Sequence, residues 1–206
     1  MKNHTLTKAT IGLTLGSALI LAGCTAQDGG SDELGGYDMS DPTQDGANGG
    51  IDDDAQVGSA DITFAQMMLP HHEQALEMSQ IMLDKDGVDP AVVDLATRIE
   101  AAQEPEIATM EGFLDEWGAE TMSDHSQHDM EGMLSDEQIQ ELKDADAETA
   151  SRLYLEGMIA HHEGAVDMAE TELADGENPE AQQLAQEIID AQQAEIAEMQ
   201  ELLATL

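Results

Sequence analysis

From Ala60 onward, apolar residues recur at three- and four-residue spacing, the period of a helix with one buried face. Ile62, Met67, Met68, His71, Ala75, Met78 and Met82 fall near one face and predict a first helix over about 60–85, ended by Gly87. Asp89-Pro90 pairs an N-cap with proline at the first helical position and opens a second helix over about 90–117. Pro70 and Pro105 lie inside these helices, where each removes one backbone hydrogen bond and favours a kink. Ser135 and Gln138 form a capping box, with Leu134 and Ile139 as its hydrophobic staple, so a short helix leads into a third long one over about 148–174. Asp175-Gly176 closes that helix, and Asn178-Pro179 opens a fourth that runs almost to Leu206. In it Leu184, Ile188, Ala191, Glu195, Met199 and Leu202 recur in helical register. Hairpin one (60–118), a linker (119–134) and hairpin two (135–206) therefore make an all-α four-helix bundle.

The two hairpins are copies. Met67-Met68-Leu69-Pro70-His71-His72-Glu73-Gln74-Ala75, with Met78, returns 90 positions later as Gly157-Met158-Ile159-Ala160-His161-His162-Glu163-Gly164-Ala165, with Met168. Phe64 answers Tyr154, and Gln103 to Met110 answers Gln192 to Met199 at an offset of 89. One unit of two helices is used twice.

With only five aromatics (Phe64, Phe113, Trp117, Tyr37 and Tyr154), the core must be Leu, Ile, Met and Ala, which suits packed helices better than a sheet. Ahead of the bundle, Lys2 and Lys8 precede an apolar run from Ile11 to Leu21 that is too short to span a membrane. It ends in Leu21-Ala22-Gly23-Cys24, and the segment resembles a bacterial lipoprotein signal peptide (1–23). That resemblance implies lipidation of Cys24 and anchoring outside the cytoplasm. Residues 24–58 are rich in Gly, Asp, Ser, Asn and Gln, too polar to bury much surface, and read as a disordered tether. Acylation of the only cysteine would leave neither a disulfide nor a thiolate metal site.

The formal charge is −39, and without residues 1–23 it becomes 4 − 45 = −41. Such a chain repels nucleic acid and anionic lipid. Because the acids are spread over every segment, they read as a solvated surface.

The candidate chemistry lies in the methionines and histidines. Thioether sulfur and imidazole nitrogen are soft to borderline ligands that together favour Cu(I), and Ag(I) as its chemical relative. Met67 and His71, Met68 and His72, and Met158 and His162 are each four apart, while His71 and Met78, and His161 and Met168, are seven apart. Each of these pairs can share a helix face. Methionine is also an adaptable core filler, and Met82, Met110 and Met199 read as packing. Adjacent histidines point about 100° apart on a helix, so two rings in one seam need polar partners. Gln103, Glu106, Gln192 and Glu195 are candidates, either as core partners or as groups that orient metal-binding imidazoles. The linker adds Met122, His125, His128, Met130 and Met133, with no hydrophobic periodicity to explain them.

The pattern Phe-x-x-x-Met-x-x-His-His-x-x-Ala, followed by a Gln-x-x-Glu-Ile-x-x-Met helix, resembles the bacterial family called domain of unknown function 305. The likeness covers about Asp61 to Leu206 and is fullest over Tyr154 to Ala169, with Met130-Glu-Gly-Met133 upstream. Pro70 departs from the small or apolar residue usual before the histidine pair. The resemblance implies a ferritin-like fold and, by analogy with periplasmic copper metallochaperones, Cu(I) and Ag(I) bound through Met and His.

Three functions follow as expectations. The first is a membrane-tethered protein that sequesters copper or passes it to a partner. The second is a ferritin-like oxidoreductase, which normally needs Glu-x-x-His on paired helices. Here Met68, Leu69, Met158 and Ile159 stand three residues before the histidines, so that motif is absent. The third is an envelope scaffold whose histidines are merely satisfied core.

Overall fold

The computed structural model describes residues 56–121 and 130–206. The signal peptide, Cys24 and nearly all of the tether lie outside the described residues, as do Met122, His125 and His128. Five helices follow in order: α1 Ser59–Leu83, α2 Pro90–Glu116, α3 Asp136–Asp144, α4 Ala147–Asp175 and α5 Pro179–Leu203. None is long and apolar enough to cross a membrane.

The ends form where local chemistry dictates. Asp89 accepts from the Ala91 N–H (2.8 Å), and Asn178 from Glu180 and Ala181 (3.0 and 2.9 Å), each just before its helix-opening proline. Ser135 and Gln138 close the expected box reciprocally, at 3.3 and 2.9 Å. Gly87 adopts φ 86°, where a side chain would be strained, and turns the chain from α1 toward α2. Helix α1 continues through the buried Pro70.

Within each hairpin the helices pack along their length, α1 on α2 and α4 on α5, and the hairpins join through α1 and α4. α3 lies on α1 and α4. Every long helix reads apolar, polar, apolar, so the core has two apolar layers with a polar layer between them. One apolar layer holds Met78, Met82, Leu95, Ile99, Leu142, Tyr154 and Met158. The other holds Phe64, Met68, Met110, Phe113, Leu114 and Ile188. His71, His72, Gln103, His161, His162 and Gln192, all buried, occupy the positions between.

One register expectation fails. Ala191 is exposed, and the buried seam of α5 runs from Ile188 and Ile189 through Gln192 to Met199. A step of four from Ile188 keeps the seam facing the polar layer, whereas the step of three to Ala191 leaves it.

Candidate functional site

The two His-His pairs meet. α1 and α4 bring the His71 and His161 rings to a centroid distance of 3.7 Å at 41°, and the His161 and His162 rings lie 6.4 Å apart. All four rings are fully buried. A repeat that left open one site or two has thus produced one histidine centre, because the contacting helices place the pairs at the same level.

The outer histidines are held by the second helix of their own hairpin. His72 Nε2 lies 2.8 Å from Glu106 Oε2, and His162 Nε2 lies 2.7 Å from Glu195 Oε2. His71 Nε2 faces the Glu131 carbonyl at 3.4 Å. Carbonyl and carboxylate oxygens can only accept, so these three rings donate through Nε2–H and carry their lone pair on Nδ1. Among the described residues each of those Nδ1 atoms is buried without a hydrogen-bond partner, and His161 has none at either nitrogen. Native proteins leave few such groups unsatisfied, so this concentration of imidazole nitrogen is the feature of the fold that most needs a ligand.

His71 and His161 are also neutral. Burial, then the neighbouring His72, pushes His71 down to about 3. Burial, then His71, lowers His161 well below the ordinary histidine range. No proton competes for their lone pairs at neutral pH.

Glu106 and Glu195 sit where the sequence placed them, against an imidazole. Gln103 and Gln192 are buried one turn earlier, yet the Gln103 amide and the Gln192 oxygen have no hydrogen-bond partner among the described residues. The methionines divide. Met68 and Met158 are fully buried one turn before His72 and His162, and Met78 fills the core against Gly157. Met67 and Met168, half-buried, line a surface groove between α1 and α4. Met130 is buried and Met133 half-buried in the segment that crosses α4. Among the described residues no three His, Cys, Asp or Glu side chains are arranged to hold one ion.

Two features escaped the sequence. Residues 130–134 lie across α4 so closely that a Cβ on Gly132 (φ 85°) would stand 2.5 Å from the Ala160 carbonyl oxygen, and one on Gly164 would collide with the Glu131 carbonyl. Gln74 locks this segment, donating to the Leu134 carbonyl and accepting from its N–H, both at 2.8 Å. The second is a buried carboxyl pair. Asp61 accepts from Gly58, Glu177 and Asn178 N–H groups at 2.5, 3.0 and 2.8 Å. Burial pushes Asp61 up, but these bonds together with the Glu172 carboxyl outweigh it and hold Asp61 below its ordinary value. Burial first, then Asp61, raises Glu172 to about 8, so Glu172 holds a proton at neutral pH. A signal existed, since the repeat sets Glu172 opposite the core residue Met82.

Comparison with known proteins agrees with this picture. No curated protein matches the chain. A DUF305 fragment from Deinococcus radiodurans is 35% identical, covering 73% of this chain and 99% of its own, with a TM-score of 0.66. A DUF305 protein from Streptomyces coelicolor is 36% identical over 71% of this chain and 91% of its own, at 0.65. CopM in its Cu(I)-bound form is 30% identical over 70% of this chain and 96% of its own, at 0.59, and Cu(II)- and Ag-bound forms of CopM are similar too. Residues 61–203 match the model of the domain of unknown function 305, and the chain belongs to that family.

Proposed function

We propose that this protein binds Cu(I), and Ag(I) in its place, outside the cytoplasm, held to a membrane through lipidated Cys24, and that it sequesters the ion or hands it to a partner protein. The observation that carries the reading is the buried layer of four imidazoles whose Nδ1 atoms have no hydrogen-bond partner among the described residues. His71 and His161 are the central ligands. Met68 and Met158 supply sulfur from the adjacent turns. Glu106 and Glu195 accept from Nε2–H of His72 and His162 and so keep each Nδ1 free for the ion. Met122, His125, His128, Met130 and Met133 form an outer donor set through which an ion enters or leaves. Met78 stays with the core, and Met67 and Met168 are left to the groove they line. CopM, with its metal-bound forms, supports the choice of metal.

The test is a Cu(I) titration of the full chain against a competing chelator, with Zn(II) as comparison. Tight binding selective for Cu(I) is expected, falling at least tenfold in His71→Gln/His161→Gln, with a smaller loss when residues 122–129 are deleted. Unchanged affinity in the double variant removes the histidine centre from the reading. No binding and no thermal stabilisation by Cu(I) returns the histidines to a purely structural role.

A further inference from the structure

The repeat makes two copies of one surface, and among the described residues only one is covered. On hairpin two's side, α3 seats Ile139 and Leu142 against Met78, Met82 and Leu153, and Leu134 packs on Gly157. Lys143 Nζ reaches Glu77 at 2.8 Å, and Lys85 Nζ caps the end of α3 through the Lys143 and Ala145 carbonyls at 2.9 and 2.7 Å. Shifted by the 90-residue repeat, these seat residues become Met168, Glu172, Thr63 and Met67. Those four line an open groove of about 440 Å³ between α1 and α4, with Phe64 in its wall.

We propose that this groove is a docking site for a short, cationic amphipathic helix of a partner protein, seated as α3 is seated on the equivalent surface. The chain's own upstream sequence does not match the seat. At the repeat offset, Gln44, Gly49 and Asp52 stand where α3's segment has Leu134, Ile139 and Leu142, so the apolar plug is missing. A second copy is disfavoured by a formal charge of −39 on each chain. The rim selects for the opposite sign. Asp167 replaces Glu77 as the acid facing the residue after the second apolar anchor, which in the chain itself would be Asp53 and in α3 is Lys143. At the end of the seat Asp175 replaces Lys85, so the partner's helix C-terminus should carry Lys or Arg rather than bare carbonyls. The recognised element is therefore two to three turns long, with apolar residues three apart and basic residues following the second. This is helix-in-groove recognition with an internal template. It stands independently of metal binding.

The probe is a fluorescent peptide copying Leu134–Ala147 with Glu137→Lys, Glu141→Lys and Asp144→Lys, titrated into the metal-free full chain by anisotropy, with methionine methyl NMR as the map. Saturable binding is expected, with shifts at Met67 and Met168 and at least tenfold weaker binding of the unmodified acidic peptide. Met168→Lys should weaken binding at least tenfold. Asp167→Lys/Asp175→Lys, confined to exposed positions, should do so without touching the fold. Affinity unchanged in both variants, or shifts elsewhere, overturns the proposal. Binding seen only after residues 25–55 are deleted would assign the groove to the chain's own segment, and self-association lost in Met168→Lys would assign it to a second copy; either outcome also overturns it.

Discussion

Glu172→Gln isolates the buried carboxyl pair. Glu172 is 1% exposed, the Asp61 charge acts on it, and Asp61 is already supplied with three backbone N–H groups. The folded protein therefore keeps the Glu172 proton up to about pH 8, whereas an unfolded glutamate loses it near 4.5. Between these values the folded state binds more protons than the unfolded one, so this contribution to stability is full below pH 4.5 and is lost as pH rises through 8. From pH 7 to pH 9 the loss is on the order of 1–2 kcal/mol, a fall of a few degrees in Tm for a domain of this size. That window is chosen because the unfolded-state histidines are already neutral there, so His71 and His161 contribute no slope. Glutamine keeps an N–H donor toward Asp61 but cannot ionise, so thermal unfolding of the metal-free variant, followed by circular dichroism at constant ionic strength, should be flat over the same range. Parallel pH profiles for the two proteins would show that Glu172 does not hold a proton at neutral pH and would refute the reasoning.

The same structure makes further commitments. Leu142→Ala, at a fully buried position of α3, should cost about 2–4 kcal/mol in urea unfolding, because it empties the seat on Met78 and Met82; a loss under about 1 kcal/mol would mean that α3 is not anchored there. Gly164→Ala should push residues 130–134 off α4, and the Leu134 N–H, bonded to Gln74, should lose hydrogen-exchange protection; retained protection contradicts the close approach. In the metal-free protein His71 and His161, depressed by burial, contribute stability that is full above about pH 6.5 and lost as pH falls below it, for His71 down to about 3, so the acid limb should flatten in His71→Gln/His161→Gln; an unchanged limb would place the acid sensitivity elsewhere.

Much of the architecture was legible because it depends on local spacing. Helical periodicity, the Asp89-Pro90 and Asn178-Pro179 starts, the Ser135/Gln138 box and the 90-residue repeat determine five helices and two equivalent hairpins, since caps and amphipathic faces act over a few residues. Residue type raised the expectation of soft-donor chemistry, and the spacing of Glu106 and Glu195 pointed to the histidines they contact. What spacing could not decide was how the copies meet. Only the packing of α1 on α4 makes the His pairs one centre, by bringing His71 onto His161, and only there do Met67 and Met168, on different helices, come to line one groove. The same contact breaks the symmetry, because among the described residues a single α3 covers one of two equivalent seats. The Asp61–Glu172 pair is likewise a product of the fold. Each residue alone reads as a surface acid; the raised Glu172 requires two carboxyls more than a hundred positions apart to be buried together, and burial is a property of the packed chain.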